Sequence, residues 1–364
     1  MKSLFDQTQL AGIKLKNRLF RSATYDGFAD ERGHMTEELF QIYDNLAKGG
    51  VGTIITGLTF VTDLEQPSPG QMGISDDSFI DEYKKLTEAI HGYNANIILQ
   101  LAGLGSQTSV DASGGKVMWG PSAVQDLFYK TTPQEMTIEE ILRLQTAFAA
   151  GAGRAKKAGF DGVQMHAAHG YLLSKFLTPY YNRRTDGYGG SIENRAKMII
   201  ETYQKIREKV GPAYPILIKI NSEDFMDQGM TFAECKYVCR KLVELGINAI
   251  EISGGSPSSR AKEGVVRNIK TREQEAYFKA YAAELAQEIN VPVIAVGGNR
   301  DFAAITEILN QTAIEYIALC RPLICESNLI NQWQSGDLKP VKCISCNKCF
   351  RPGGTICAFN RQKR

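Results

Sequence analysis

ILIKIN (Ile216–Asn221) and AIEISGG (249–255) are short runs rich in β-branched residues, and apolar residues recur at three-to-four spacing in segment 234–245 between them. This change of period is what a strand, a helix and a second strand produce. The runs are apolar almost throughout, as is typical of strands covered on both faces in a parallel sheet. The stretch therefore predicts one β-α-β unit of an α/β protein.

The same alternation recurs along the chain, with helix signals such as the capping box from Thr137 to Glu140 between the runs. The eight runs lie at 19–24, 53–58, 96–102, 162–168, 216–221, 249–255, 292–298 and 316–322. Eight strands, each followed by a helix, predict a single closed (β/α)8 TIM barrel. We expect the barrel at residues 1–335 and a short Cys-rich C-terminal extension at 336–364.

The charge balance argues against several classes of partner. The 364 residues include 42 Lys and Arg against 40 Asp and Glu, and 43% are hydrophobic. Because no strong net field results, neither nucleic acid nor a membrane surface is an expected partner. The N-terminus has no continuous apolar stretch, so we expect a cytoplasmic protein that acts on a small molecule. A homo-oligomer is also expected.

Polar residues and glycines occur near the C-terminal ends of the runs, where such barrels place their active sites. They are Gln100, His166, His169, Lys219, Gly297, Gly298 and Arg321. The interval 103–134 is too long for a simple connection, which predicts a loop or hairpin over the barrel mouth. Taken alone, the two histidines fit core packing or a metal site as well as a binding site.

Four segments carry a family resemblance: HAAHGYLLSKFLTPYYNRRTDGYGGSIENR from His166 to Arg195, KNRLFRSAT near the start, LQLA around Gln100 and AVGGN around Val296. In order and spacing they resemble the Old Yellow Enzyme family of FMN-dependent NADH:flavin oxidoreductases. The chain is most similar to the barrel domain of the 2,4-dienoyl-CoA reductase and trimethylamine dehydrogenase branch, because CISCNKC follows the barrel.

The resemblance implies roles for three residues at the end of the fourth strand. His166 and His169 would donate hydrogen bonds to a substrate carbonyl oxygen, where such donors stabilise developing charge. Tyr171 would protonate the α-carbon as the general acid. The implied reaction passes a hydride from NADH or NADPH through FMN to the C=C bond of an α,β-unsaturated carbonyl compound.

The resemblance also implies how the flavin ring is held. Lys219 would stabilise the reduced flavin, although an ion pair with Glu251 is an alternative for a buried lysine. Gln100 would bond the pyrimidine edge, and the backbones of Ala23 and Gly57 would contact the ring. Tyr25 occupies a position that is usually cysteine or threonine, so its effect on the flavin is left open.

The phosphate of FMN is expected at the ends of the seventh and eighth strands, a common phosphate site in barrels. Gly297 and Gly298 let backbone amides approach, Arg321 can grip the phosphate oxygens, and Gly255 contributes from the sixth strand. A double glycine alone often marks only a turn. Its combination with Arg321 is what favours the phosphate.

The C-terminal extension contains Cys343, Cys346, Cys349 and Cys357 in the pattern Cys-x2-Cys-x2-Cys-x7-Cys. Disulfides are not expected in a cytoplasmic protein, and the tight spacing suits thiolate ligands. The resemblance favours a [4Fe–4S] cluster, while a structural zinc ion and unligated thiols are alternatives. The last spacing is shorter than in the related enzymes, which leaves the fourth ligand open.

Three other functions are compatible with these features. One is a dehydrogenase or demethylase that passes electrons through an iron–sulfur cluster to a partner protein. Another is an electron-relay flavoprotein without its own chemistry, although a relay needs no proton donor such as Tyr171. A tRNA dihydrouridine synthase shares the barrel and FMN, but the near-neutral charge argues against it.

Overall fold

The computed structural model describes residues 1–65, 68–108, 116–351 and 353–363. Eight parallel strands close into a barrel, because each pairs with the next and the last pairs with the first. They are β1 (Leu19–Arg21), β2 (Thr53–Ile55), β3 (Asn96–Ala102), β4 (Gly162–Ala167), β5 (Ile216–Asn221), β6 (Ala249–Ser253), β7 (Val293–Ala295) and β8 (Tyr316–Leu319). The predicted TIM barrel is confirmed.

At least one helix follows every barrel strand. The helices are α1 (Glu37–Lys48), α2 (Ile80–His91), α3 (Ile138–Lys157), α4 (Leu172–Leu177), α5 (Ile192–Arg195), α6 (Lys197–Val210), α7 (Phe232–Glu244), α8 (Lys279–Glu288), α9 (Phe302–Gln311), α10 (Arg321–Cys325) and α11 (Leu329–Gln334). The capping box at Thr137 is present, with Glu140 N donating to Thr137 Oγ1 at 3.2 Å. A second box, at Thr231 and Glu234, starts α7 ahead of the predicted segment.

Most strands end earlier than the sequence runs that predicted them. β3 and β5 have the predicted bounds, whereas β1 ends at Arg21 instead of continuing to residue 24. The amide of Ser22 still donates to Leu319 O at 2.9 Å, and beyond it the chain leaves the sheet. The residues after the strand ends therefore lie at the barrel mouth.

A β-hairpin closes the opposite end of the barrel. Its strands, Thr8–Leu10 and Ile13–Leu15, pair antiparallel. Leu10 and Leu15 are buried among side chains of the barrel interior, such as Phe20 and Leu217. With this end filled by apolar side chains, the open end is where a ligand can enter.

The interval 103–134 reaches the mouth as predicted, and its residues 109–115 lie outside the described structure. Short strands Trp119–Gly120 and Gln134–Glu135 pair in parallel at its base. Two more short strands, Thr59–Phe60 and Met72–Gly73, extend the sheet beside β3. Single turns of 3₁₀ helix occur at Asp77–Phe79 and Arg272–Gln274.

The C-terminal extension, residues 336–363 of the described chain, lies against the barrel mouth. Thr355 N donates to Asp26 O at 2.7 Å, and Thr355 Oγ1 donates to Tyr25 O at 2.5 Å. A 3₁₀ helix, Ala358–Lys363, follows. Among the described helices, none combines the length and apolar character needed to cross a bilayer.

Candidate active site

A cavity of about 220 Å³, open to solvent, lies at the C-terminal ends of the barrel strands. Its wall contains ten of the twelve flavin and catalytic residues proposed from the sequence. These are Ala23, Tyr25, Gln100, His166, His169, Tyr171, Lys219, Gly297, Gly298 and Arg321. One cavity thus brings together residues from β1, β3, β4, β5, β7 and β8, as the barrel geometry predicts.

Gly57 and Gly255 are not in this wall. The amide of Gly57 donates to Tyr43 Oη at 2.9 Å, so its N–H is already used inside the protein. Gly255 lies in a turn with φ +71°, and a Cβ there would meet Glu263 O. Neighbouring side chains, Leu58 and Pro257, line the cavity in their place.

His166, His169 and Tyr171 form a compact group. The ring centroids of His166 and His169 are 5.2 Å apart, and those of His166 and Tyr171 are 4.6 Å apart. His169 Nε2 lies 2.7 Å from Ser253 Oγ, and its amide donates to Asn221 Oδ1 at 3.1 Å. These bonds fix His169 in the left-handed region, at φ +64°, which few residues other than glycine adopt.

Both histidines are neutral in this environment. Burial, and then the positive charge of Lys219, lower the pKa of His166 well below its usual value. The same two causes, followed by His166 itself, lower the pKa of His169. A neutral imidazole retains one N–H donor, so each ring can bond a carbonyl oxygen without carrying charge.

Tyr171 keeps its proton. Burial, and then Tyr129 and Tyr25, raise the pKa of the Tyr171 phenol. Tyr171 packs with Leu58, Ala102 and Leu104, which gives this side of the cavity an apolar wall. A protonated phenol in an apolar wall can act as an acid only toward a strong base that forms next to it.

Lys219 makes the ion pair considered as an alternative and also lines the cavity. Its Nζ lies 3.2 Å from Glu251 Oε1 and donates to Ser22 Oγ at 2.8 Å. Glu251 Oε2 accepts from Gln164 Nε2 at 2.8 Å, and Gln164 Oε1 accepts from Gln100 Nε2 at 2.7 Å. A buried chain of hydrogen bonds and the ion pair therefore connect Gln100 and Lys219, the two side chains predicted to hold the flavin ring.

The glycines at the end of β7 are required by packing. Gly297 and Gly298 have φ of +109° and +82°, and a Cβ on either would overlap the rings of Phe278 or Tyr277. Arg321, at the end of β8, donates from Nη1 to Arg267 O at 2.8 Å and to Asn347 Oδ1 at 2.5 Å. The part of the cavity at the ends of β7 and β8 is thus lined by glycine backbone on one side and by the Arg321 guanidinium group on the other.

Tyr25 has no hydroxyl free for a flavin. Its Oη donates to the carbonyl of Pro69, while its ring lines the cavity beside Leu58. Its role in this geometry is that of an apolar wall.

Several residues of the cavity wall were missed by the sequence interpretation. Tyr129 comes from the loop over the mouth, Arg300 follows β7, and Ser345 and Phe350 come from the C-terminal extension. Gln164 in β4 lies behind the wall and bonds Gln100, and its polarity within an apolar run could have indicated it. No period or motif indicates where a loop or a tail will dock.

The tail cysteines lie beside this cavity. Cys349 is buried, and burial with the neighbouring thiols of Cys357 and Cys343 raises its pKa to about 11; Cys346 is a further neighbour. Cys320, in the cavity wall, also neighbours Cys349.

The backbone between the first three cysteines has two residues in the left-handed region. Ser345 and Asn347 have φ of +55° and +59°, a conformation that lets successive N–H groups point into one concavity. The amide of Ser345 bonds the Cys343 thiol. Such amides are found around the sulfurs of iron–sulfur clusters.

No group of three or more His, Cys, Asp or Glu within the described residues is arranged to hold a single metal ion. The finding favours neither a zinc ion nor a [4Fe–4S] cluster, because both need the thiolates gathered around one centre. The zinc alternative and unligated thiols stay open. The cluster stays a prediction.

Residues 3–339 match the model of the NADH:flavin oxidoreductase / NADH oxidase family. The chain belongs to this family. FMN and a reduced nicotinamide are therefore its cofactors, and the expected Old Yellow Enzyme resemblance is confirmed.

Two curated relatives and one solved structure illustrate the similarity. NADH oxidase of Thermoanaerobacter brockii is 32% identical over 95% of this chain and 53% of its own length. Cinnamate reductase of Clostridium sporogenes is 30% identical over 95% of this chain and 55% of its own. A 2-naphthoyl-CoA reductase complex superposes with a TM-score of 0.88 at 27% identity, covering 95% of this chain and 54% of that one. The chain thus spans about half the length of these relatives.

The residues of the cavity fit FMN. His166 Nδ1 and Asn299 Oδ1 are buried in its wall and lack a hydrogen-bond partner among the described residues. Buried polar atoms of this kind are expected where a ligand completes their bonding. Gln100 and Lys219 would hold the flavin ring, and Arg321 would hold the phosphate.

Proposed function

We propose that the chain is an FMN-dependent ene-reductase that transfers a hydride from NADH or NADPH to the C=C bond of an α,β-unsaturated carbonyl compound. The observation that carries this proposal is the buried group of His166, His169 and Tyr171 on the wall of the cavity. It combines two neutral donors with one protonated acid.

Each residue has a distinct task in this proposal. Bound FMN supplies the hydride that the nicotinamide has given to it. His166 and His169 hold the carbonyl oxygen, and their bonds strengthen as negative charge develops there, a contribution of a few kcal/mol. Tyr171 retains its proton until the α-carbon becomes basic and then donates it. Tyr25 and Leu58 keep this side of the cavity apolar.

The names of two similar proteins agree with the proposed substrate class. One is a cinnamate reductase and the other a 2-naphthoyl-CoA reductase, and both names denote conjugated carbonyl compounds. Because those proteins are about twice as long, the identity of the substrate and the need for any electron-transfer partner are proposals for this chain. The expected homo-oligomer also stays a prediction.

A second candidate function is a dehydrogenase that passes electrons from the flavin through the cysteine group to a partner. The observation that favours it is Cys320, which lines the cavity and neighbours Cys349. Electrons leaving the flavin would have a short path to a cluster at that place.

Anaerobic half-reactions separate the two candidates. The purified protein is reduced with NADH or NADPH until the flavin absorbance is bleached, and a cyclic enone is then added. Return of the flavin absorbance with formation of the saturated ketone is expected of an ene-reductase. Failure of several enones to reoxidise the flavin, with rapid reoxidation by a one-electron acceptor, would favour the second candidate.

A further inference from the structure

Arg267 packs its guanidinium group against three aromatic rings next to the predicted phosphate site. It lies in the loop between β6 and α8, and its side chain is half-buried. Its Cζ is 5.0 Å from the ring centroid of Phe225, 4.9 Å from that of Tyr277 and 5.1 Å from that of Phe278. Cation–π contacts with three rings hold a planar guanidinium group in one orientation.

Two backbone carbonyls hold the same side chain. Its Nε donates to Gly264 O and its Nη2 donates to Glu263 O, both at 3.3 Å. Arg267 is not in the wall of the cavity, although its neighbours Val265 and Val266 are. An effect of Arg267 on a bound ligand is therefore indirect.

The first residue through which Arg267 can act is Arg321, which is expected to bind the FMN phosphate. Arg321 Nη1 donates to Arg267 O at 2.8 Å. It also donates to Asn347 Oδ1, and Asn347 Nδ2 donates to Asn268 Oδ1 at 2.8 Å. Residues 267 and 268 therefore hold the Arg321 guanidinium group both directly and through Asn347. An arginine that is already fixed in its binding orientation loses less entropy when the ligand binds.

The second structure through which Arg267 can act is the glycine turn at the end of β7. Tyr277 N donates to Gly297 O at 2.9 Å, which bonds the segment carrying the rings to the turn. A Cβ on Gly297 would lie 2.5 Å from Phe278 Cδ2, and one on Gly298 would lie 2.7 Å from Tyr277 Cε1. The rings that hold Arg267 thus pack directly against the backbone predicted to face the phosphate.

We propose that Arg267 is a positioning residue for the FMN phosphate. Its guanidinium group, clamped by three aromatic rings, fixes the loop so that the Arg267 carbonyl orients Arg321 toward the phosphate. The same rings support the turn at Gly297 and Gly298. The proposal rests on the phosphate contact predicted for Arg321 and does not depend on the identity of the substrate.

Comparison of FMN with riboflavin isolates this effect, because the two flavins differ only in the phosphate. Flavin-free protein prepared from the holoenzyme is titrated with each flavin, and quenching of flavin fluorescence gives the two Kd values. In Arg267→Met the Kd for FMN should rise about 3- to 30-fold, the range expected for the loss of a cation–π anchor. The Kd for riboflavin should stay unchanged, whereas a general loss of structure would raise both values.

Two further variants identify the cause of the change. Arg267→Lys keeps the charge but lacks the planar group that packs on the rings, so it should raise the Kd for FMN as Arg267→Met does. In an Arg321→Ala background Arg267→Met should have a smaller effect, because the residue through which it acts is then missing. Arg272→Met is the matched control, since Arg272 is an exposed arginine of the same loop that pairs with Glu307 at 2.7 Å. It should leave both Kd values unchanged.

Four results would overturn the proposal. The first two are an unchanged Kd for FMN in Arg267→Met and an equal rise in the Kd values of both flavins. The third is a wild-type Kd for FMN in Arg267→Lys, which would assign the effect to charge alone. The fourth is an equal effect of Arg267→Met with and without the Arg321 side chain. Flavin binding is measured without turnover, so these outcomes are independent of the proposed ene-reductase activity.

Discussion

The ammonium group of Lys219 lies 3.2 Å from Glu251 Oε1, and both side chains are buried inside the barrel. Ser22 Oγ also donates to that carboxylate oxygen, at 2.6 Å. Lys219 therefore has a protein partner in the absence of any ligand. A flavin that contacts Lys219 shares this charge with Glu251.

Removing one member of the Lys219–Glu251 pair should lower the free energy of unfolding. Glu251→Gln leaves the Lys219 ammonium without a countercharge in the barrel interior, a change that typically costs about 3–5 kcal/mol. Urea unfolding of the flavin-free protein measures the loss. Glu244→Gln is the control, because Glu244 pairs with Lys241 at 2.8 Å on the surface, where solvent screens the pair and it contributes little to stability. Equal losses in the two variants would contradict the assignment.

Arg321 is expected to bind the FMN phosphate. Arg321→Ala removes charge-assisted bonds worth about 1.5–3 kcal/mol, so the Kd for FMN should rise about 10- to 100-fold. Quenching of flavin fluorescence on titration with flavin-free protein gives the Kd. Arg272→Ala, which removes an exposed arginine paired with Glu307, should leave it unchanged. An unaltered Kd in Arg321→Ala would place the phosphate elsewhere.

Tyr171→Phe should slow one half-reaction of the catalytic cycle and leave the other unchanged. Reduction of the flavin by the nicotinamide needs no proton from this phenol and should keep its rate. Reoxidation by an enone should slow by about 10²- to 10⁴-fold, the usual contribution of a positioned acid. Stopped-flow absorbance follows each half separately, and Tyr129→Phe, a second phenol of the same wall, should change neither half appreciably. Similar slowing of both halves in Tyr171→Phe would assign Tyr171 to flavin positioning.

The neutral state of the two histidines gives a pH prediction. Their pKa values are lowered, so protonation should not weaken the binding of a carbonyl ligand as the pH falls from about 8 to about 6, across the usual histidine value of about 6.5. His166→Ala should weaken such a ligand by about 0.5–1.5 kcal/mol while flavin reduction persists. His91→Ala is the control, since His91 pairs with Asp161 on the surface. A change in the affinity for the carbonyl ligand near pH 6.5, the usual histidine pKa, would mean that a histidine is charged in the free enzyme.

Burial of Glu65 should make the free energy of unfolding fall as the pH rises. Burial raises the pKa of Glu65 from 4.5 to about 7, although the amides of Gly105 and Leu104 oppose the shift. Between these values the unfolded chain releases the proton that the folded chain keeps. The stabilisation is therefore complete below about pH 4.5 and is lost by about pH 7, a change on the order of 3 kcal/mol. Urea unfolding at several pH values between about 4.5 and 7 measures this change, and Glu65→Gln should not show it. If the free energy of unfolding of the wild type and of Glu65→Gln fell in parallel with pH, the prediction would be wrong.

The barrel and most of its mouth could be predicted from sequence for a simple physical reason. Closing eight parallel strands brings their C-terminal ends together, so Gln100, His166 and Lys219 had to meet once the strands were recognised. Backbone contacts inferred from resemblance follow from no such rule. Ala23 lines the cavity, whereas Gly57 does not, and the Gly57 N–H donates to Tyr43 Oη.

Features that depend on long-range docking were not predictable. Arg300 bonds the carbonyl of Cys343, and Thr355 bonds the carbonyl of Tyr25, yet neither pair has a spacing or period that marks it. The bond from Asn360 Nδ2 of the tail to Cys325 O at the end of α10, at 2.9 Å, is of the same kind. Residues of one helix and one tail become neighbours only because the tail folds back over the mouth.

The pairing of β1 with β8 has a consequence for how the protein is made. Leu19 lies opposite Ile317, so the seam joins the first strand of the barrel to its eighth, which the ribosome releases much later. Until Leu319 has emerged, β1 presents an unpaired row of amides and carbonyls that another chain can bind. Closing so long a loop is also slow, because its entropy is lost before the seam forms. Nascent chains should therefore be most prone to aggregation until β8 has emerged, and chaperone occupancy should fall sharply once the seam has closed.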